Sequence, residues 1–288
     1  MTYNEICNAL AEAGIENNRG EASMLICRFC NINKADLLLR HDEDFDSPEL
    51  EAAVAKRLEH YPLQYILGFW DFCHETYRVN ENTLIPRQDT EKLVELAVRL
   101  IPDNARIIDL CTGSGCVAIS TLAARPDCHA VAVDLFPETL EVARENAELN
   151  GVGDRVGFLL HDVLDPSFMD ELGKFHCILS NPPYIETHQI PLLDEELAYE
   201  PEAALDGGDD GLDFYKVIIG EYGKYLCDGG IMLLEIGCDQ AKPVSAIAVE
   251  AGLRCEIFKD YNGNDRVAYL RFASKSRLDD DIADGIGI

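Results

Sequence analysis

From Tyr3 to about Leu67 the apolar residues recur about every three to four positions, as in Ile6 and Leu10 and then Ala22, Leu25, Ile26 and Phe29. Short polar breaks separate the groups, so the pattern predicts four or five short helices, each with one apolar stripe. Ser47-Pro48-Glu49 supplies a capping side chain and then proline at the first helical position. A helix opens there and runs towards His60, where Pro62 limits it. From Gly68 to Ile85 the pattern changes to Phe69, Phe72, Tyr77, Val79 and Leu84, with Asn80 and Asn82 as turn residues, and predicts a β-hairpin linker. Helix resumes near Thr90 or Glu91. Strands are then expected at Arg106–Leu110, His129–Asp134, Arg155–His161, Cys177–Ser180, Gly230–Ile236, Arg254–Phe258 and Val267–Phe272. Between them, helices are expected at Cys116–Ala124, Pro137–Asn150, Leu212–Leu226 and Ala241–Ala251. Such alternation is the mark of an α/β fold, a mainly parallel sheet with helices on both faces. The expected units are residues 1–67 (helical), 68–86 (linker) and 87–273 (α/β). Residues 274–288, with Asp279, Asp280, Asp281 and Asp284, form an acidic tail expected to be disordered.

Composition narrows the function classes. With 47% hydrophobic residues over 288 positions, the chain can bury a sizeable core. No apolar run approaches the roughly 18 to 20 residues that cross a bilayer, and the start lacks a basic and then apolar signal region, so a cytoplasmic protein is expected. Eleven cysteines, an odd number lying mostly in apolar runs, read as free thiols. Cys27 and Cys30 form the one Cys-x-x-Cys pair, and with no second pair or nearby histidine they read as helix positions facing a core rather than metal ligands. The net charge of −29, from 53 acidic and 24 basic residues, opposes phosphate neutralisation. Direct nucleic-acid binding is not expected, and a protein or small-molecule substrate is favoured.

Two segments carry chemistry. The strand Ile107-Ile108-Asp109-Leu110 runs into Cys111-Thr112-Gly113-Ser114-Gly115 and then a helix, so glycines sit where the chain turns beneath a ligand. Asp134 ends the next strand, where it can accept both hydroxyls of a ribose, and Asp162, ending the third, can accept from an adenine amino group. This loop also satisfies the Gly-x-Gly-x-x-Ala fingerprint of nicotinamide enzymes, so by itself it leaves a dehydrogenase open. The second segment, Asn181-Pro182-Pro183-Tyr184, follows the fourth strand. A carboxamide nitrogen is a poor nucleophile because its lone pair is delocalised, and a catalyst must surround it with acceptors. Asn181 offers a side-chain carbonyl and Pro182 a backbone carbonyl, while the prolines hold the turn stiff and Tyr184 adds an aromatic wall. Attack on an electrophilic methyl depends chiefly on distance and alignment, so no strong general base is required. The seven histidines are scattered, no pair has metal-ligand spacing, and no Gly-x-Ser-x-Gly elbow occurs.

These residues, together with Pro62 through Gly68, Leu84 through Glu91, Glu200-Pro201, Ala204-Leu205, Gly207-Gly208, Asp210-Gly211-Leu212, Glu235-Ile236-Gly237, Lys259-Asp260 and Asp265-Arg266-Val267, resemble the bacterial N5-glutamine methyltransferases of peptide chain release factors. The resemblance spans about residues 60 to 272, while residues 1–59 match only in helical character. It implies a seven-stranded Rossmann-like methyltransferase sheet, mostly parallel with the last strand antiparallel, behind a helical domain and a hairpin linker. It also implies transfer of a methyl group from S-adenosylmethionine to the glutamine of a Gly-Gly-Gln motif; a monomer is expected. Cofactor contacts are expected at Cys111, Thr112, Gly113, Ser114, Gly115, Asp134, Asp162, Val163 and Asn181. Asn181 and Pro182 are expected to be catalytic, Asn181 through Tyr184 to bind the glutamine, and Arg87 and Glu235 to support that pocket. Two positions depart from the family pattern. Cys111 stands where glycine is usual, so its backbone is expected to avoid positive φ or the loop to shift, and Val163 stands where some members have an aromatic residue. The rival readings are an adenine-N6 methyltransferase acting on nucleic acid, a nicotinamide dehydrogenase and a non-catalytic module that kept the fold.

Overall fold

The computed structural model describes residues 1–40 and 42–272; the acidic tail of residues 274–288 lies outside the described residues. Helices α1 (Tyr3–Glu12), α2 (Asn18–Cys30), α3 (Lys34–Arg40), α4 (Pro48–Leu58) and α5 (Leu63–Leu67) follow one another as the apolar spacing predicts. Thr2 and Glu5 form a reciprocal capping box at α1, and Ser47 accepts from the Leu50 N–H at 3.2 Å ahead of Pro48. The stripes meet in a core of Ile6, Leu10, Leu25, Ile26, Leu50 and Val54, with Cys27 and Cys30 packed at its margin. Arg57 of α4 is buried among these helices and pairs with Glu21 at 2.5 Å and with Glu196, far along the chain, at 2.6 Å.

Strands β1 (Phe69–Phe72) and β2 (Glu75–Arg78) form the expected hairpin, but its turn is not where the asparagines suggest. The chain reverses at Cys73, which takes a left-handed φ of 53°, and His74. Asn80 and Asn82 instead close a second turn, in which the Asn80 side chain accepts from the Asn82 N–H at 2.9 Å. Tyr77 of β2 reaches down to the Ser120 hydroxyl at 2.6 Å, which roots the hairpin in the α/β unit.

That unit comprises α6 (Glu91–Leu100), β3 (Arg106–Leu110), α7 (Cys116–Ala124), β4 (His129–Asp134), α8 (Pro137–Leu149), β5 (Val156–Leu160), α9 (Met169–Leu172), β6 (Phe175–Ser180), α10 (Asp213–Val217), β7 (Leu226–Glu235), α11 (Ala241–Glu250), β8 (Leu253–Lys259) and β9 (Asp265–Phe272). The strands form one seven-stranded sheet in the order β5-β4-β3-β6-β7-β9-β8. All neighbours are parallel except those of β9, which runs antiparallel between β7 and β8, as the resemblance implies. Adjacent residues serve opposite faces: Ile107 joins the core under α6 and α7, and Ile108 and Leu110 join the one under α10 and α11. The helix expected over residues 212–226 is divided, since α10 passes into a π-turn at Ile218–Tyr222 and a 3-10 turn at Gly223–Tyr225. The wider turn keeps Ile218, Ile219 and Tyr222 all buried against the sheet.

Topology places the site. The chain winds outward from β3 in both directions, to β4 and β5 on one side and to β6 on the other, so a crevice opens above the carboxyl ends of β3 and β6. Leu110 and Ser180 are register partners, and the Ser180 hydroxyl donates to the Leu110 carbonyl at 2.7 Å. The Cys111 and Asn181 loops therefore leave the sheet side by side.

Candidate active site

A cavity of about 400 Å³ lies over the loop after β3. Asp109, buried inside β3, accepts from the Thr112 hydroxyl at 2.6 Å, and burial pushes its carboxyl up to about 7. The Thr112 N–H is tied to the Val133 carbonyl at 3.0 Å. Between these anchors Cys111 adopts φ 58°, which corrects the expectation that a non-glycine residue would avoid the left-handed region here. Hydrogen bonds on both sides of the residue determine its conformation more strongly than its Cβ opposes it. The thiol packs against the core beneath α10.

Asp134, buried at the end of β4, accepts from the Gly113 N–H at 2.9 Å through one oxygen and from the Phe136 N–H at 3.2 Å through the other. Burial pushes its carboxyl up. Cys111, Thr112, Gly113 and Ser114 line the cavity, but Gly115 does not. Gly115 has φ 83° at the start of α7, where a Cβ would stand 2.7 Å from Ile119 Cδ1. The same Cβ would stand 3.3 Å from Ala143 Cβ, so the glycine lets α7 start close to α8. Asp162 and Val163 line the far end together with Leu135, Phe136 and Leu164. Asp162 is exposed and accepts from the Leu164 N–H at 2.8 Å, while Val163 is buried and its carbonyl accepts from the Tyr222 hydroxyl at 2.7 Å.

A second cavity of about 200 Å³ lies on the other side of Asn181. Asn181 lines both; Pro183 faces the larger, and Pro182 and Tyr184 the smaller. The Asn181 side-chain NH2 donates to the Thr90 hydroxyl at 3.3 Å, and its carbonyl oxygen has no partner among the described residues. Thr90 was not foreseen as a site residue; it is brought in by the turn ahead of α6, 91 positions away. Arg87 and Glu200 form an ion pair beside the opening, and Glu200 also accepts from the Ile85 N–H at 3.0 Å. At the end of β7, Glu235 lines the small cavity and is 2% exposed. Its Oε1 receives the Tyr184 hydroxyl at 3.5 Å, and its Oε2 has no hydrogen-bond partner among the described residues. Burial pushes this carboxyl up to about 7, with the Thr90 hydroxyl and Arg266 pulling the other way.

Known proteins match the chain along most of its length. Residues 2–68 match the family profile described as PrmC N-terminal domain, and residues 89–208 that described as methyltransferase small domain. The release factor glutamine methyltransferase of Geobacter sulfurreducens is 40% identical over 266 residues, covering 90% of this chain and 91% of that one. The namesake from Thermodesulfovibrio yellowstonii is 38% identical over 262 residues, covering 88% and 92%. This chain belongs to the release factor glutamine methyltransferase family. A solved protein-(glutamine-N5) methyltransferase (release factor-specific) from Alicyclobacillus acidocaldarius is 31% identical, with a TM-score of 0.42 over 68% of this chain and 100% of that one. Membership makes S-adenosylmethionine the methyl donor and sets aside the dehydrogenase reading and the nucleic-acid reading.

The larger cavity fits that donor. An open-faced glycine at Gly113, where a Cβ would meet nothing within 4 Å, leaves backbone accessible. A carboxylate suited to ribose hydroxyls stands between this loop and the apolar slot of Leu135, Phe136, Val163 and Leu164, which suits a flat purine. The family's glycines after the acceptor loop have a steric reason. A Cβ on Gly207 would stand 2.7 Å from Tyr184 Cα and 2.9 Å from the Pro183 carbonyl, both backbone. Gln240 completes the support, donating to the Tyr184 carbonyl at 3.0 Å. Gly207→Ala is therefore expected to displace Pro183 and Tyr184 and to cut kcat by about 100-fold, a distance effect. The Kd for S-adenosylmethionine, measured by calorimetry, is expected to stay within about threefold, and an unchanged kcat sinks the steric account.

Proposed function

We propose that this chain transfers a methyl group from S-adenosylmethionine to the side-chain amide nitrogen of the glutamine in the Gly-Gly-Gln motif of peptide chain release factors. What carries the reading is the place of Asn181, in the wall between a nucleoside-sized cavity and a smaller one, with its carbonyl uncommitted. Bound in the larger cavity, S-adenosylmethionine supplies an electrophilic sulfonium methyl. Cys111, Thr112, Gly113 and Ser114 hold its amino-acid part, Asp134 accepts from the ribose, and Asp162 and Val163 face the adenine. The glutamine side chain enters the smaller cavity. There Asn181 Oδ1 and the Pro182 carbonyl accept its two amide hydrogens, which orients the nitrogen towards the methyl and favours the charge developing on it. Tyr184 and Leu197 exclude water.

The helical unit of residues 1–67, the linker of residues 68–86 and the catalytic unit of residues 87–273 then divide the work, with the helical unit docking the body of the release factor. The chain acts as a monomer in the cytoplasm, where its substrate works. No helix among the described residues is long and apolar enough to cross a membrane. Incubation with labelled S-adenosylmethionine and a purified release factor is expected to place one methyl on the Gly-Gly-Gln glutamine, mapped by mass spectrometry. Run in parallel on a Gly-Gly-Gln tripeptide, the assay is expected to show a far lower kcat/KM, the difference being the docking contribution. Label on another residue, or on added RNA or DNA instead, overturns the assignment.

A further inference from the structure

Methylation of an amide nitrogen releases a proton, and the proposed function leaves open where it goes. The small cavity is lined by apolar side chains, Asn181, the Pro182 carbonyl, the Tyr184 phenol, Arg87 and Glu235. Asn181 and the backbone carbonyl are not basic enough to keep a proton, Arg87 is already cationic, and Tyr184 carries its own. Among the described residues Glu235 is the single base in that lining, and it is a buried carboxylate with one oxygen unpartnered among them. A buried polar atom left without a partner is a costly arrangement, and the partner it lacks is a donor. Resting on the proposed function, we propose that Glu235 is a catalytic residue that accepts the proton lost by the glutamine amide during methyl transfer. As the nitrogen lone pair forms the bond to the methyl carbon, the sulfur–carbon bond breaks with its electron pair passing to sulfur. One of the two N–H groups leaves its Asn181 or Pro182 acceptor as the nitrogen becomes tetrahedral, and its proton passes to a Glu235 oxygen and leaves to solvent after product release. An amide nitrogen that has been alkylated is strongly acidic, so a carboxylate suffices and the absence of a strong base from the site is no obstacle.

The surroundings of Glu235 suit an acceptor that is emptied at neutral pH. From the turn ahead of α6 come Asp89 and the Thr90 hydroxyl, from the acceptor loop the Tyr184 phenol, from β9 Arg266, and from α7 the neutral thiol of Cys116. From α10 the Tyr215 hydroxyl donates to the Glu235 backbone carbonyl at 2.8 Å. Arg266 is shared with Asp260 and Asp89, at 3.3 Å each, so its charge is already matched and does not hold Glu235 permanently ionised. Burial outweighs these partners and lifts the carboxyl to about 7. Its ionised form is the active one, so the rate rises with pH through that region and then levels.

Single-turnover methylation of a purified release factor, followed from about pH 5.5 to 9, tests this by comparison of the wild-type protein with Glu235→Gln, which keeps Asp109, the other buried carboxyl pushed up to about 7. A rise with an apparent midpoint near 7 is expected. Glu235→Gln is expected to lower the plateau rate by about 100-fold or more and to flatten the profile, with the Kd for S-adenosylmethionine within about threefold. Glu235→Asp is expected to keep the pH-dependent rise at a reduced rate. Independently of turnover, the carboxyl infrared band of Glu235 in the cofactor-free protein is expected to vanish as pH passes 7, and to be missing in Glu235→Gln. A flat wild-type profile, a Glu235→Gln variant as fast as wild type, or a carboxyl titrating at the ordinary value overturns the role. If Glu235→Gln fails to fold, the infrared titration is repeated on Asp109→Asn, in which a carboxyl band vanishing near pH 7 must persist for the role to stand. Failure of the wild-type protein to methylate the glutamine at any pH sinks the proposed function itself, an outcome the variants do not produce.

Discussion

Asn181→Ala is expected to lower kcat for release-factor methylation by about 10³-fold while the Kd for S-adenosylmethionine stays within about threefold. The variant removes the one side-chain acceptor on the wall between the cavities. Its orientation is set before substrate arrives: the NH2 of Asn181 donates to Thr90 at 3.3 Å, so the carbonyl, not the NH2, is left for the incoming amide. Loss of that acceptor leaves the Pro182 carbonyl alone to orient a delocalised nitrogen, and the reacting atoms spend little time aligned. Rapid-quench single-turnover assays give the rate and calorimetry gives the affinity. Equal turnover in the variant, or a parallel collapse of cofactor binding, refutes an acceptor role acting on the amide.

Asp134→Ala is expected to show the opposite split, with the Kd for S-adenosylmethionine raised by about 100-fold and kcat at saturation lowered by less than about tenfold. Hydrogen bonds to a charged acceptor contribute roughly 1.5–3 kcal/mol each, and the proposed binding brings two ribose hydroxyls to this one carboxylate. The same carboxylate accepts from the Gly113 and Phe136 N–H groups, at 2.9 and 3.2 Å, so its loss also releases the loop beneath the ligand. Calorimetry on the variant checks the affinity and saturation kinetics check kcat. A Kd within about threefold of the wild type removes Asp134 from the binding site.

Most of the scaffold and both loops were legible along the chain. Strands Arg106–Leu110 and His129–Asp134 have the expected bounds, because a strand buried on both faces is mostly apolar, and the buried Asp109 within β3 is satisfied by the Thr112 hydroxyl. The acceptor tetrapeptide was legible for a similar reason, since an asparagine and two prolines on consecutive residues carry their geometry with them. The hairpin turn was misplaced because Asn80 and Asn82 are good turn residues wherever they sit, whereas the turn used depends on Cys73 accepting φ 53°. That acceptance comes from strand pairing and from Glu91, which accepts the Cys73 N–H at 2.9 Å. Cys111 repeats the lesson, with its φ set between Asp109 of β3 and the Val133 carbonyl of β4, both of which hold Thr112.

The amino-acid sequence by itself determined the order of elements, the α/β class, the two reactive loops and, through its motifs, the family. Tertiary structure alone decided that Thr90 orients Asn181, that Gly207 lies against Tyr184, and that one oxygen of Glu235, a residue the resemblance already set at the pocket, has no partner among the described residues. The physical reason is range. Periodicity, capping and turn chemistry act between residues a few positions apart, while a cavity is the space left when strands 70 positions apart fall into register, as Leu110 and Ser180 do.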